Sequence, residues 1–518
     1  MVVLIQRWAH QWGAVLVVFS GLATGGGLAL ADQSYEFRGV RAPQVRSTQM
    51  SADLLQKLTA LQVDLRKRSQ RASLSDALEQ SLLKNPELAQ AYGQIQQSQW
   101  SLIAIRRQWY PAVTASGGGP SSSVFGYRGS GTYFSRSDAY GTDEQQTFRD
   151  NSSLVTTLNL SWTFFDPSRA SAINAASESL LSQQLLFNVA ARNLVLRTQL
   201  AYFTLQEQVT LIDSYERILI ATNSQVSQVE ALFNTGYASI AEVEQIRTQQ
   251  FQTLTLLINT YRGVIDAAAS LAQAMALAPG RLALPADQLD RFGRWDLQLS
   301  ATIQQALSMR EEIQSSIAQS NSANWIASSL FNRYWPRFGL AASASYTNTN
   351  DRSREFNFNN KPANDIRTST SGWDAGLGMF FTWSIFDGGI SAADAQAQKA
   401  VAQQQLDLAA LQRLQVSAEV ERSYASYEAS LLALQSSAEQ LRSAEQAAVA
   451  VRARYKVGYD NATSVVQTLN QTITAANVKA RSISEYNSAV ASLYRASARW
   501  PDSALSLRDQ RVQSLKRR

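Results

Sequence analysis

The chain carries the same landmarks twice at a fixed offset. Leu74-Ser75 and Trp109-Tyr110-Pro111 recur as Leu299-Ser300 and Tyr334-Trp335-Pro336, 225 positions on at both ends, so no residue is gained or lost between them. The helical pattern of Ala77, Leu78, Leu82 and Leu88 is matched by Ile303, Leu307 and Ile313, and each proline stops its helix. A duplicated chain folds as two copies of one unit, and every other reading has to fit that frame. A second pair of landmarks closes each copy. Phe233-Asn234-Thr235-Gly236 is followed by Glu242-Val243, and Tyr455-Lys456-Val457-Gly458 by Ser464-Val465 at the same spacing. Each glycine supplies the left-handed backbone that ends a helix, and Ser239, or Asp460, Asn461 and Thr463, can cap the next.

After each proline the period changes from helical to two. Leu154, Thr156, Leu158, Leu160, Trp162 and Phe164 alternate with smaller or polar residues, as do Leu377, Met379, Phe381, Trp383 and Ile385. These read as strands with one apolar face. Weaker partners follow Pro111 and run through Phe338, Leu340, Ala342, Ala344 and Tyr346, with loops expected at Gly117 to Gly131 and Asn348 to Ser371. An ordinary hairpin packed on a core has the same alternation. The aromatics favour a membrane: Trp109, Tyr110, Trp162, Phe164, Trp335, Trp383 and Phe386 cluster where strands meet helices, the place of an interfacial girdle.

Pro167 to Phe233 and Gly389 to Tyr455 contain no internal proline, and at 1.5 Å per residue each spans about 100 Å as helix. A heptad seam runs from Leu194 through Leu205, Tyr215, Leu219 and Val226 to Phe233, and its counterpart through Val420, Tyr424, Tyr427, Leu431 and Leu434 to Tyr455. Such a seam requires a partner helix, supplied by the return segments Ile240 to Ala278 and Ala462 to Ala498.

The N-terminus, with Arg7 before an apolar run and Ala29-Leu30-Ala31 after it, reads as a secretory signal over residues 1–31. A membrane anchor is the alternative, but Gly25-Gly26-Gly27 interrupts the run and leaves it short. There is no cysteine, hence no disulfide and no lipoprotein attachment residue. The expected organisation is a partly disordered extension over 32–72, a first repeat over 73–278, a linker of strand or loop over 279–298, a second repeat over 299–500 and a basic tail over 501–518. In the extension, Leu54, Leu55, Leu58, Leu61 and Leu65 fall on one helical face.

The net charge of +6 is modest and the arginines are scattered, which argues against nucleic-acid binding. Arg66-Lys67-Arg68 and Lys516-Arg517-Arg518 are solvated ends or contacts to an acidic surface. An enzyme is disfavoured because the single histidine, His10, lies in the signal, so the mature chain can build neither the common zinc sites nor a Ser-His or Cys-His pair. No cofactor or metal is expected. Four strands cannot close a barrel, and an open sheet in lipid leaves unsatisfied edges, so the chain must oligomerise. A periplasmic coiled-coil adaptor or scaffold would account for the hairpins and signal but not for two apolar-faced strand pairs.

The ordered set Leu74-Ser75-Asp76-Ala77-Leu78, Asn85-Pro86, Trp109-Tyr110-Pro111, Trp162-Thr163-Phe164-Phe165-Asp166, Trp383-Ser384-Ile385-Phe386-Asp387-Gly388-Gly389 and both glycine tips resembles the TolC-like outer membrane efflux and secretion channels, over about Ser73 to Trp500. The resemblance implies a mixed α and β membrane protein: long coiled-coil hairpins plus four transmembrane strands per chain, a homotrimer with a twelve-stranded outer membrane barrel and a periplasmic helical tunnel. It also implies a periplasmic adaptor (membrane fusion protein) and an inner-membrane ABC or proton-driven pump, in type I secretion or drug efflux. The equivalents of the family's adaptor-docking tips are Thr235, Gly236, Tyr237, Val457, Gly458 and Tyr459.

The periplasmic gate departs from the family. Family members close it with a tyrosine and an arginine and place acidic rings just inside. By distance from Gly458 the tyrosine is Tyr455, the arginine position is Asp460 and the acidic positions are Ser464 and Gln467, while Glu242 keeps the acid of the first tip. A neutral constriction held by Tyr455 and polar contacts is the expectation; an acidic entrance rebuilt from Asp460 and Glu242 is the alternative.

Overall fold

The computed structural model describes residues 46–118, 126–138, 141–357, 361–501 and 504–516. The signal and most of the extension therefore lie outside the described residues. The chain divides into two units, Met1–Lys57 and Leu58–Arg518. In the first, the described residues belong to the start of helix α1 (Arg46–Arg68). In the second, the end of α1 is held by the Gln62 amide donating to Glu216 (2.9 Å) and the Tyr261 hydroxyl donating to the Leu61 carbonyl (2.6 Å).

Each repeat opens with two helices rather than the single one expected up to the aromatic-Pro landmark. In the first they are α2 (Leu74–Lys84) and α3 (Pro86–Arg107); in the second, α6 (Leu299–Met309) and α7 (Glu311–Phe331). The breaks fall at Asn85 and Arg310, 225 positions apart, and both residues are extended. Pro86 explains the first break, because it disfavours helical backbone before it. The second has no proline, and tertiary bonds hold it instead. The Asn85 amide donates to the Ala274 carbonyl (2.9 Å) and the Arg310 guanidinium to the Ala496 carbonyl (3.2 Å). Each break thus caps the C-terminal end of the returning helix of its own repeat.

The proline-free segments are single helices, α4 (Pro167–Asn234, 68 residues) and α8 (Ile390–Lys456, 67 residues). Asp166 caps α4 by accepting from the Ser168 amide at 3.0 Å. Asp387 accepts from the Gly389 and Ser391 amides and from the Tyr334 hydroxyl. These bonds, Ser391 first, hold the Asp387 carboxyl well below the usual carboxylate range. Leu194, Leu205, Tyr215, Leu219, Val226, Val420, Tyr427 and Tyr455 of the seam are buried, whereas Phe233, Tyr424, Leu431 and Leu434 are half-buried.

The return helices α5 (Ile240–Ala274) and α9 (Ala462–Ala496) stop earlier than the prolines at 279 and 501 imply. Left-handed Ala276 (φ 54°) and Ala498 (φ 60°) end them, with the Leu277 and Arg499 amides bonded back to Ala272 and Tyr494. Because Asn85 and Arg310 sit on these ends, α3 continues the line of α5 and α7 that of α9. The helical wall of one protomer is then four columns, α3/α5, α4, α7/α9 and α8, in that order of contact over most of its length, with α5 also meeting α9.

Between the repeats, β5 (Leu282–Pro285) pairs in parallel with β1 (Ser69–Ala72). The linker is strapped to both hairpins. Tyr202 of α4 donates to Asp287 (2.9 Å), and Asn487 and Tyr486 of α9 bond the backbone of Asp290, Phe292 and Gly293. After Pro501 the described residues form α10 (Ala504–Lys516), which buries Ala504 and Leu515 against Leu78, Leu82, Leu88 and Phe187. Lys516 is exposed, and Arg517 and Arg518 lie outside the described residues.

Where the halves meet, a buried charge cluster alternates signs. Arg310 bonds Glu312 (3.1 Å) and Glu419 (3.0 Å), Arg495 bonds Glu419 (2.6 Å) and Glu312 (3.2 Å), and Arg192 pairs with Glu311. Three cations face three anions. Burial pulls the Arg192 guanidinium down to about 10 against the opposing effect of Glu312.

Candidate functional site

Five strands fill four positions of one antiparallel sheet. β2 (Ala112–Gly118) and β3 (Gly126–Asp138) pair in succession with β4 (Gly141–Phe165), which pairs with β6 (Arg337–Asn357), and β6 with β7 (Lys361–Thr382). The register aligns apolar rows across the sheet: Val113–Leu160–Ala342–Leu377, Ala115–Leu158–Ala344–Ala375 and Trp162–Leu340–Met379. The opposite face carries Thr114, Asn159, Ser343 and Gly376. From Phe338 to Tyr346 the apolar face runs about 26 Å along the strand, which at a tilt of about 40° is about 20 Å in height, most of a lipid-facing band of about 25 Å.

Two expectations for the strands are corrected. Of the segments read as loops, Gly117 to Gly131 and Asn348 to Ser371, the described residues are strand, and residues 119–125 and 358–360 lie outside the described residues; β4, β6 and β7 run 25, 21 and 22 residues, far beyond the apolar band. The rows also shift at one end. A bulge between Thr163 and Phe165 puts Phe165, not Phe164, opposite Phe338, while Phe164 packs edge-on with Trp162. Strand β7 ends at Thr382, leaving Trp383 and Ile385 in the joint to α8.

The girdle aromatics all sit at that end of the sheet. Two act as matching clasps: the Trp162 indole donates to the Trp109 carbonyl (2.8 Å) and the Trp383 indole to the Tyr334 carbonyl (2.9 Å). Tyr110, Trp335 and Phe386 are exposed, Phe386 at 85%. At the opposite rim Tyr346, the last residue of its alternating run in the sequence, lies beside Trp373 (82% exposed), which was not singled out although it continues the alternation of β7 by two-residue steps.

At the far end of the helices the two tips are built alike. Gly236 (φ 81°) and Gly458 (φ 78°) are left-handed, and the Tyr237 and Tyr459 amides bond back to the Leu232 and Arg454 carbonyls at 2.8 and 3.0 Å. Thr235 and Val457 are the helix-ending residues, and Tyr237 and Tyr459 stand 86% and 84% exposed. The tips lie side by side: Thr463 donates to Gln245 (3.3 Å) and Gln249 to Asn470 (3.0 Å).

The gate positions fall close to these turns. Glu242 is occupied by its own helix, accepting from the Ser239 amide (2.8 Å) in a capping box. Its counterpart Ser464 donates its hydroxyl to the cap residue Asn461 at 3.0 Å. Tyr455 is buried; burial first and the Glu242 carboxylate second push its phenol up. Gln467 opens on a groove of about 900 Å³ with Gln245, Gln440 and Asn470. Asp460 is not a free acid, because Arg454 pairs with it at 3.2 Å. The Ser464 hydroxyl, then the Asn461 amide and Arg454, hold its carboxyl below the usual range. The sequence reading missed Arg454, which sits beside Tyr455, and Arg247, which is buried and ties α5 to α4 through Glu230 at 2.8 Å.

No helix of the described residues is long and apolar enough to cross a membrane, and no metal-binding group of His, Cys, Asp or Glu is found among them. The outer membrane efflux protein family model matches residues 77–277 and 302–499, one match per repeat. A search of curated proteins returned no match. The fold is similar to the CmeC outer membrane channel of Campylobacter jejuni (14% identity, 85% of this chain and 89% of that one, TM-score 0.63). It is also similar to VceC from Vibrio cholerae (16%, 82% and 95%, 0.60) and to the open state of the MtrE channel of Neisseria gonorrhoeae (17%, 82% and 89%, 0.59). With both halves of its duplication matched, and a sheet and hairpins laid out as in those channels, the chain belongs to the outer membrane efflux protein family, whose members are channels and not enzymes.

Proposed function

We propose that three copies close head to tail into one outer membrane channel-tunnel. The observation that carries this reading is the agreement of the two layers on where a protomer stops. The sheet ends in β2/β3 on one side and β7 on the other, and the helical wall ends in α3/α5 and α8. One rotation therefore brings each open strand edge and each open helix column to its complement, and a head-to-tail contact of this kind closes a ring. The unpartnered side of α8 fits this use: Val401, Leu408, Leu411 and Leu414 are exposed on the side away from buried Ala402, Ala409 and Val416. Three copies of a four-position sheet give a barrel of twelve strand positions.

In this reading the apolar rows, with the aromatics at their ends, face outer membrane lipid, and the helices cross the periplasm. The exposed tips Thr235-Gly236-Tyr237 and Val457-Gly458-Tyr459 meet a periplasmic adaptor, which joins the channel to an inner-membrane ABC or proton-driven pump. Export of the chain through the Sec route with removal of residues 1–31, and insertion without a lipid anchor, belong to the same proposal. The gate is a neutral constriction at Tyr455, Ser464 and Gln467, with Asp460 neutralised by Arg454.

Single-channel recording of the purified protein in a planar bilayer, with its mass measured in detergent, tests the proposal. Discrete conductance from a particle of three chains is expected. A monomer that stays soluble without detergent and forms no pore would instead indicate a periplasmic scaffold.

A further inference from the structure

The strands continue well past the apolar band, and their lipid-side face changes character there. The row Thr156–Tyr346–Trp373 closes the band. Three rows further on, in the same parity, come Asp150–Arg352–Arg367 and then Phe148–Arg354–Asp365. Six residues at about 3.3 Å, on strands tilted by about 40°, place Arg352 and Arg367 about 15 Å above the rim, and Arg354, two residues on, about 20 Å. Around them on the same face stand Tyr127 and Tyr133 of β3 and the edge-to-face pair Phe148 and Phe356 (5.8 Å). Arg352 bonds Asp365 at 2.8 Å, Arg354 bonds Asp150 at 2.7 Å, and the Tyr127 hydroxyl also donates to Asp150 at 2.7 Å.

Donors remain after these pairs. A guanidinium has five N–H groups. The Arg354 Nε is buried without a hydrogen-bond partner, and Arg367 has no ion pair or hydrogen bond among the described residues. Arg367 also lies directly across from Arg352, and the one carboxylate of Asp365, bonded to Arg352, acts on both; like charges opposed on neighbouring strands destabilise a sheet unless anionic charge offsets them. We propose that this patch binds the phosphorylated saccharide headgroup of an outer-leaflet glycolipid. The arginines grip phosphate as planar forks, and the aromatic faces pack on sugar rings. A lipid headgroup fits better than a protein partner because the patch continues the lipid-facing surface without a change of face. The inference rests on the sheet being a barrel wall.

The test uses the full-length protein in detergent, incubated with a bisphosphorylated lipid A–core glycolipid, and reads bound glycolipid by native mass spectrometry. Expected are at least tenfold less retained glycolipid in the combined Arg352→Gln, Arg354→Gln and Arg367→Gln variant, and about threefold less in Arg367→Gln alone, which breaks no internal bond and serves if the combined variant does not assemble. The dephosphorylated glycolipid should be retained no better by wild type than by the variant. Unchanged retention in the variants, or retention that survives dephosphorylation, overturns the proposal. So does displacement by millimolar inorganic phosphate, which would mark a free-anion site. Conductance and particle mass are recorded on the same samples: their loss in wild type counts against the channel reading, whereas normal pores without glycolipid retention count against this site alone.

Discussion

Replacing Arg310 with methionine removes the guanidinium that breaks the second repeat's opening helix while keeping an unbranched apolar stem. The guanidinium donates to Glu312, to Glu419 and to the carbonyls of Ala496 and Arg495 at 3.1, 3.0, 3.2 and 3.3 Å, and it is almost wholly buried. Removing one partner of a buried ion pair costs about 3–5 kcal/mol because a charge is left behind. Arg495 still holds both glutamates, so the lower end, about 3 kcal/mol, applies here. At about 1.4 kcal/mol per decade, local opening becomes roughly a hundredfold more frequent. Hydrogen exchange of the amides from Ala306 to Ser316 reads this directly. Leu82 to Glu87 in the first repeat is the internal control, since Pro86 sets that break. Combining Arg310→Met with Glu419→Gln should recover part of the loss by removing the stranded charge. Exchange within threefold of wild type, or equal acceleration at the control, would refute the view that the cluster holds the junction.

Leucine at both Gly236 and Gly458 puts a side chain on left-handed backbone, at about 1–2 kcal/mol each, into open space, so the oligomer should survive while export is abolished; loss of the oligomer on a native gel would make the glycines purely structural. A trivalent cation should block wild-type conductance weakly and block the Ser464→Asp, Gln467→Asp variant tightly, because a ring of carboxylates concentrates cations; tight block of wild type would sink the neutral gate. The Asp460 carboxyl is depressed in the folded chain, so its contribution is present above 3.8 and lost as pH falls through its lowered value. Exchange at Arg454 to Ser464 should therefore stay slow at pH 4.5 and quicken only below 3.8, and Asp460→Asn should remove that dependence. Leu515→Ala, emptying a buried position under α10, should destabilise the chain by about 2–5 kcal/mol, read as a lower urea midpoint; an unchanged midpoint would mean that α10 is not part of the core.

What could be read from the sequence was whatever a local rule fixes. The helices α4 and α8 were legible because no proline interrupts them, and the apolar rows because one face of each strand is apolar and the other is not. Past Tyr346 and Leu154 both faces carry polar residues, so alternation vanishes and Ser, Thr and Asn in strand resemble loop. The break at Arg310 was invisible for a different reason: nothing in its neighbours forbids helix, and bonds to Glu419 and Ala496, far along the chain, decide it. The α10 helix hid behind its basic composition, although Leu507, Val512 and Leu515 touch one core. At the gate, matching positions by distance from Gly458 drew attention to Asp460 and away from Arg454, which supplies its counter-charge.

In the proposed trimeric ring, four helical columns and four strand positions span the same angle, yet they are not equally wide. Twelve strands about 4.8 Å apart, tilted by about 40°, measure about 75 Å around, whereas twelve helices about 9–10 Å apart measure nearer 110 Å. The helical wall is therefore the wider pipe, and the strand ring, locked by its own hydrogen bonds, is the fixed bore. That ring has a radius of about 12 Å to its backbone, and its inward positions are kept small: Ala341, Ser343, Gly376 and Gly378. Cargo of a folded domain's width cannot pass such a bore, so whatever leaves through it is either a small molecule or a polypeptide threaded in extended form.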